Sequence, residues 1–222
     1  KKIFEQFCES SKIVTIRNGI NLDIMNFKNF DFKKKYNIKT NFILFLGRFT
    51  KIKGIDLLLN AIGLIKDMPE FEKIILVIMG VDFGFQKIMY RMIDDLKISN
   101  KILIITNPAR EDVIQAYRES KFLVLPSRWE LSPLTHLEAF AFRKAVISTD
   151  VHGIPYTMKH NEHGLLIKPN AKFLGEAIIE LLNNEKMCDN FGQAGFDLVM
   201  NTCNSTKMAE NTLKLYKELV NE

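Results

Sequence analysis

Short apolar runs recur along most of the chain, separated by segments of helical period. FILFLG (Phe42 to Gly47), KIILVIMG (Lys73 to Gly80), KILIIT (Lys101 to Thr106) and the run from Phe122 to Leu125 are apolar at nearly every position. Continuous rather than alternating apolarity marks strands covered on both faces. Ala145 to Ser148 and Gly164 to Ile167 read as two further strands. Between the runs, Ile55 to Ile65, the stretch around Phe85 to Leu96, and Arg110 to Glu119 carry apolar residues at helical spacing. Ala171 to Leu182, Glu185 to Met200 and Ser205 to Val220 predict three more helices. Strands alternating with helices predict an α/β fold with a parallel sheet between helical layers. Right-handed crossovers make that sheet doubly wound, with ligands at the carboxyl ends of its strands. There is no internal repeat and no low-complexity segment.

Ahead of Asn41 the pattern weakens. Lys2 to Ser11 reads as the end of a helix, Lys12 to Ile16 as a short strand, and Asn18-Gly19 as a turn. Asn21 to Thr40 lacks a clear period and reads as a linker. A helix-strand pair ahead of a linker cannot build its own core, so it is expected to be the tail of a larger unit.

Two loops carry candidate chemistry. In PSRWELSPLTHLEAFAFRKAVISTD (Pro126 to Asp150) an apolar strand stops at Pro126, and Ser132-Pro133 opens a helix with Leu134, Leu137, Ala141 and Phe142 on one face. Ser132 suits the N-cap and Pro133 the first helical position, where neither loses an intrahelical hydrogen bond. Free N–H groups and the positive end of the helix dipole then face the binding edge, where an anion can sit. Glu130 and Glu138 bracket the turn. Amides for a diphosphate between carboxylates for sugar and ribose hydroxyls suit a sugar nucleotide. Taken alone, the same stretch also fits a solvated turn residue at Glu130 and a surface cap at Glu138. The second loop, GRFTKIKG (Gly47 to Gly54), follows the first strand and sets Arg48 and Lys53 five residues apart. Arginine can hold a phosphate by paired hydrogen bonds and lysine as a point charge. One such pair can be two solvated cations, but two phosphate-suited loops at one sheet edge support each other.

GR-x4-KG, then E-x7-E, an LEAFA helix, a TDVHGIP loop and an HGLLI turn resemble the donor-binding, C-terminal half of a GT-B glycosyltransferase of family 4. The resemblance runs from about Ile13 to the C-terminus. It implies a Rossmann-like fold and a retaining transferase that moves a hexose from a UDP- or GDP-linked sugar to a glycan or glycolipid acceptor in polysaccharide assembly. No cofactor and no metal are implied. Arg48 and Lys53 would bind the diphosphate, Glu130 the donor sugar and Glu138 the ribose, with Arg48, Lys53 and Glu130 carrying the catalytic roles. Gly47 and the backbone at Ser132, Pro133, Leu134 and Thr135 complete the implied donor site. The resemblance divides the chain into a remnant of an N-terminal acceptor domain with its linker (1–30), the nucleotide-sugar domain (31–204) and a crossover helix (205–222). The N-terminal acceptor domain of the same enzyme would be a partner. The alternatives are a GT-B nucleotide-sugar epimerase, a phosphorylase-like enzyme, or a non-catalytic nucleotide-binding module. Three departures bear on donor identity more than on fold. Leu131-Ser132-Pro133 replaces a Gly-Phe-Gly-type turn, and Pro133 has no N–H to offer. Tyr156 stands where glutamate is common, and Val81-Asp82-Phe83-Gly84 replaces a Gly-rich turn.

Composition changes this picture little. The 222 residues are 47 % hydrophobic, enough for a full core, with a net charge of +5. Lys33-Lys34-Lys35 is the one lysine cluster, so no nucleic-acid surface is indicated. The mild basicity fits anionic substrates or peripheral contact with an anionic membrane. Cys8, Cys188 and Cys203 lack metal-type spacing, and the start lacks the pattern of a secretory signal. A cytoplasmic protein, peripheral at the inner membrane face, is expected. His160 and His163 read as solvated loop residues, His136 as a packed helical histidine, and Trp129 as a partly buried aromatic beside the turn.

Overall fold

A computed structural model describes residues 6, 7, 9 and 12–221. The strands are β1 (Asn41–Leu46), β2 (Ile74–Gly80), β3 (Ile102–Thr106), β4 (Leu123–Leu125), β5 (Val146–Thr149) and β6 (Gly164–Ile167). They form one sheet in the order β3-β2-β1-β4-β5-β6, and all its pairings are parallel. The longer helices are α2 (Ile55–Ile65), α3 (Gln86–Asp95), α4 (Arg110–Glu119), α5 (Leu134–Ala141), α7 (Ala171–Asn183), α8 (Glu185–Asn201) and α9 (Ser205–Asn221), with short α1 (Phe32–Lys35) and α6 (Ile154–Thr157). The chain winds outward from β1 through β2 to β3, then returns to place β4 on the other side of β1. This reversal opens a crevice between the carboxyl ends of β1 and β4.

β1 shows why the apolar runs are continuous. Ile43 and Phe45 enter one core with Leu58, Ile62 and Ile178, whereas Phe42, Leu44 and Leu46 enter the other with Tyr117, Leu137 and Phe140. Alternate side chains go to opposite faces, and both faces are dry. Arg110–Glu119, Ile55–Ile65 and Gly164–Ile167 keep the boundaries expected from sequence, and most other elements shift by one residue.

The segment ahead of β1 differs from expectation. The helix end at Lys2 to Ser11 lies for the most part outside the described residues. Residues 13–19 form no strand, because no sheet edge runs beside them; one isolated bridge, Ile20 to Asn204, ties the segment to the loop before α9. Gly19 is a close-packing position rather than a turn, since a Cβ there would meet the Asn204 carbonyl at 2.1 Å. The supposed linker is a packed strap holding a 3-10 turn, Leu22–Asn26, and α1. Glu119 accepts the N–H groups of Phe32 (2.7 Å) and Lys33 (3.1 Å), and Arg118 donates to the carbonyls of Met25 (2.8 Å) and Phe27 (2.9 Å). Phe32 is fully buried beneath α4. Partners from distant α4 decide this stretch, which is why it shows no period of its own. Among the described residues no helix is long and apolar enough to cross a membrane.

Candidate functional site

The crevice is built by the loops after β1 and β4. After β1 the chain makes a 3-10 turn, Lys51–Lys53, and leaves it through Gly54 at φ 71°. A Cβ at Gly54 would meet the Pro126 carbonyl at 1.9 Å, so only glycine lets the two loops close. Arg128 locks them together. Its backbone N–H donates to Ile52 (2.7 Å), and its guanidinium donates to Lys51 (2.7 Å) and to both oxygens of Asp56 (2.6 and 2.8 Å). Arg128 and Asp56 carry no signal in the sequence, because their partnership exists only across this closure.

The clamp brings Lys53 and Glu130 into a direct ion pair, with side chains 17 % and 11 % exposed. Ser127 donates to the same carboxylate oxygen, Oε1, at 3.0 Å, while among the described residues no donor meets Oε2. Gly47 lies alongside the lysine, and a Cβ there would come within 3.8 Å of the Lys53 stem. Arg48 is exposed at the same edge but turns away, its guanidinium 5.3 Å from the centre of the Phe83 ring. It does not join the Lys53–Glu130 pair.

α5 begins at Leu134, not at Ser132. Pro133 occupies the cap position, and among the described residues no side chain caps the helix. Expecting Ser132 as N-cap was therefore incorrect; Pro133, with φ −70° and ψ 116°, is extended and hands over to the helix one residue later. Leu134 and Thr135, the first helical residues, keep N–H groups without an intrahelical acceptor, and Pro133 has none to offer. Ser132 lies in the turn, half exposed. Leu137 and Ala141 face the core, but Leu134 is 48 % exposed at the crevice.

Glu138 faces a different set of partners. Arg110 Nη2 donates to its Oε1 at 2.7 Å, and the buried Tyr117 hydroxyl donates to Oε2 at 3.0 Å. Burial, reinforced by the Glu138 anion, pushes the Tyr117 phenol well above its ordinary value, so it stays a donor. Each carboxylate oxygen keeps a second lone-pair direction for a ligand hydroxyl. Sequence reasoning missed Arg110 and Tyr117; both lie on a helix with an ordinary amphipathic pattern, seven residues apart.

His136 is packed in its helix as expected, whereas His163 is not the solvated loop residue expected. His136, in the first turn of α5, is fully buried, and neither ring nitrogen has a hydrogen-bond partner among the described residues. Burial and the nearby Lys53 ammonium lower its pKa to about 3. His163 is buried rather than solvated, because its Nδ1 accepts the Lys159 N–H at 3.0 Å and its ring packs on Phe140. His160 is exposed as expected, and Trp129 is 49 % exposed, with His152 6.0 Å away.

Comparison with known proteins adds the following. The family model described as glycosyl transferases group 1 matches residues 26–197. An uncharacterized glycosyltransferase of Methanocaldococcus jannaschii is 30 % identical over 217 residues, covering 94 % of this chain and 54 % of that protein. The crystal structure of a glycosyltransferase from Rickettsia africae superposes with a TM-score of 0.85 at 25 % identity, over 99 % of this chain and 61 % of that one. The Anabaena protein HepE, crystallised with UDP-glucose, superposes with a TM-score of 0.83 at 15 % identity, over 97 % and 60 %. The chain thus spans about half the length of the curated relatives it matches, 54 % in the first case.

Proposed function

The chain belongs to the glycosyl transferases group 1 family, and on that premise we propose that it is the C-terminal, donor-binding domain of a retaining family 4 GT-B enzyme. It takes a hexose from a nucleoside-diphosphate sugar, UDP- or GDP-linked, to a glycan or glycolipid acceptor. One observation carries this proposal: Lys53, Glu130 and the uncapped tip of α5 share a single crevice at the switch point of the sheet. HepE, of the same fold, holds UDP-glucose, which supports a nucleotide-sugar donor.

In this proposal Lys53 and the N–H groups of Leu134 and Thr135 hold the diphosphate, and Arg48 swings from Phe83 to join them. Glu130 offers its open Oε2 to a sugar hydroxyl, and Glu138 takes the ribose hydroxyls while Arg110 and Tyr117 hold it in place. Gly47, Ser132 and Pro133 shape the walls. The acceptor oxygen bonds to the anomeric carbon on the face from which the diphosphate departs. The bond to the phosphate oxygen breaks, and the acceptor proton passes to the leaving phosphate. Cations at that phosphate stabilise the charge that develops there, which is the chief contribution of this domain to the rate. An acceptor domain completes the enzyme, at the cytoplasmic face of a membrane when the acceptor is a glycolipid. The 222-residue chain therefore binds nucleotide but transfers sugar poorly, and full turnover by the chain alone would contradict this.

The deciding test is thermal melting with UDP, GDP, ADP and their sugars. A ligand at about a hundred times its dissociation constant stabilises by roughly 2.7 kcal/mol. Lys53→Ala should remove about 1.5–3 kcal/mol of nucleotide binding, as for a charged hydrogen bond. Unchanged affinity in that variant would sink the assignment of Lys53 to the diphosphate.

A further inference from the structure

Beside the Glu130 turn lies a cavity of about 390 Å³ that meets the donor site at Ser132 and is lined by none of Arg48, Lys53, Leu134 and Thr135, the residues assigned to the diphosphate. Its size falls in the range of ligand sites, about 300–1,000 Å³. Leu131 and Ser132, directly after Glu130, line one side, and the segment Thr15 to Asn18 that carries Arg17 lines another. α6 closes a third side with Tyr156 and Thr157. This side is pinned to the turn: the Gly153 N–H donates to the Glu130 carbonyl at 2.9 Å, and a Cβ at Gly153 would meet the Leu131 carbonyl at 1.7 Å. The cavity is therefore continuous with the turn that holds Glu130.

We propose that this cavity is an anion-taking subsite, in which Arg17 receives a carboxylate or phosphate carried on the sugar side of the bound diphosphate. Among the described lining residues there is a guanidinium and no carboxylate. Thr15, Ser132 and Tyr156 line the same space and carry hydroxyls able to donate to an anion, whereas the Thr157 hydroxyl donates to the Gly153 carbonyl at 3.4 Å. Among the described residues no carboxylate lies within ion-pair distance of Arg17. Its charge nonetheless reaches the interior. It opposes the rise that burial imposes on the Cys203 thiol, which also lines the cavity, and it adds to the lowering of the His163 pKa that burial begins. Leu131 and Leu137 supply apolar surface against which a ring can lie. Arg17 distinguishes ligands by charge, a selectivity that the diphosphate cradle, common to every nucleotide sugar, cannot provide.

This inference rests on the donor assignment above for the side on which the sugar lies. The anion can come from two sources, a carboxylate on the donor sugar or an anionic group on the acceptor. Isothermal titration of the chain and of Arg17→Gln separates them. One arm compares UDP-glucose with UDP-glucuronate and GDP-mannose with GDP-mannuronate; the other titrates glycerol 1-phosphate into the UDP-bound or GDP-bound chain. One arm should show a preference for the anionic ligand of about tenfold or more, lost in Arg17→Gln and kept in Arg17→Lys. A uronate preference identifies the donor sugar as the source, and saturable glycerol phosphate binding identifies the acceptor. Affinity for UDP or GDP itself should be unchanged by Arg17→Gln and weakened by Lys53→Ala, and equal melting temperatures of the two Arg17 variants exclude unfolding. If UDP and GDP fail to bind the unsubstituted chain, the donor assignment fails, while inorganic phosphate titrated into the free chain and Arg17→Gln still reads the cation. Wild-type and Arg17→Gln chains indistinguishable in every arm would overturn the subsite.

Discussion

His136 is the residue at which local sequence and site conflict most. Both its ring nitrogens are buried without partners among the described residues, and such an arrangement costs about 1–3 kcal/mol for each unsatisfied group. Its pKa falls to about 3 in the fold from 6.5 in the unfolded chain. Between those values the unfolded state binds a proton that the native state refuses, so stability rises with pH through this window and is complete above it. Acidification below 6.5 should therefore cost up to about 1.4 kcal/mol per pH unit from this group. His136→Leu should raise stability at neutral pH by about 1 kcal/mol and flatten the slope between pH ~5 and ~6.5. Urea unfolding at those two pH values checks both, and an unaltered slope would show that other groups carry the acid sensitivity. Lys53 and Glu130 were legible from sequence because their residue types and loop positions suit phosphate and sugar. Arg110 and Tyr117 were not, since their role at Glu138 depends on α4 lying beside α5.

At the scale of elements, the loops after β1 and β4 behave as one unit because Arg128 and Gly54 join them. Arg128→Ala removes the paired bonds to Asp56 and the bond to the Lys51 carbonyl. It should destabilise the fold by about 1–2 kcal/mol and also weaken nucleotide binding, since the loop that carries Lys53 is no longer held. Gly54→Ala should cost more than about 1 kcal/mol, because φ is positive there and the added carbon meets the Pro126 carbonyl. Denaturant midpoints together with nucleotide titrations measure both effects. Loss of stability with unchanged affinity in Arg128→Ala would uncouple the clamp from the site. Helix and strand positions were readable from period and apolarity, whereas the start of α5 was misplaced. Ser132 and Pro133 both fit a helix opening, and only the extended backbone at Pro133 decides between them.

At the scale of the whole molecule, two apolar cores share one sheet, and β1 feeds both of them. Phe42 and Phe45 are each fully buried, on opposite faces. Phe42→Ala and Phe45→Ala should each cost about 3–5 kcal/mol and shift the same unfolding transition. Far-UV circular dichroism and the fluorescence of Trp129, the single tryptophan, should move together. Separate transitions in either variant would mean that the two layers unfold independently. The strap ahead of β1 belongs to this scale as well. Glu119 and Arg118 hold it against α4, and nothing in its own composition marks those contacts.

The sequence by itself determined the parallel α/β sheet, the helices that cover it and the two loops with candidate chemistry. Apolar period and residue type act locally, so they survive without knowledge of neighbours. Tertiary structure alone decided that Lys53 meets Glu130, that Arg110 and Tyr117 hold Glu138, and that Arg17 faces a cavity beside the same turn. Each of these pairs residues far apart in the chain, and only the reversal of strand order at β1 and β4 brings them to one edge.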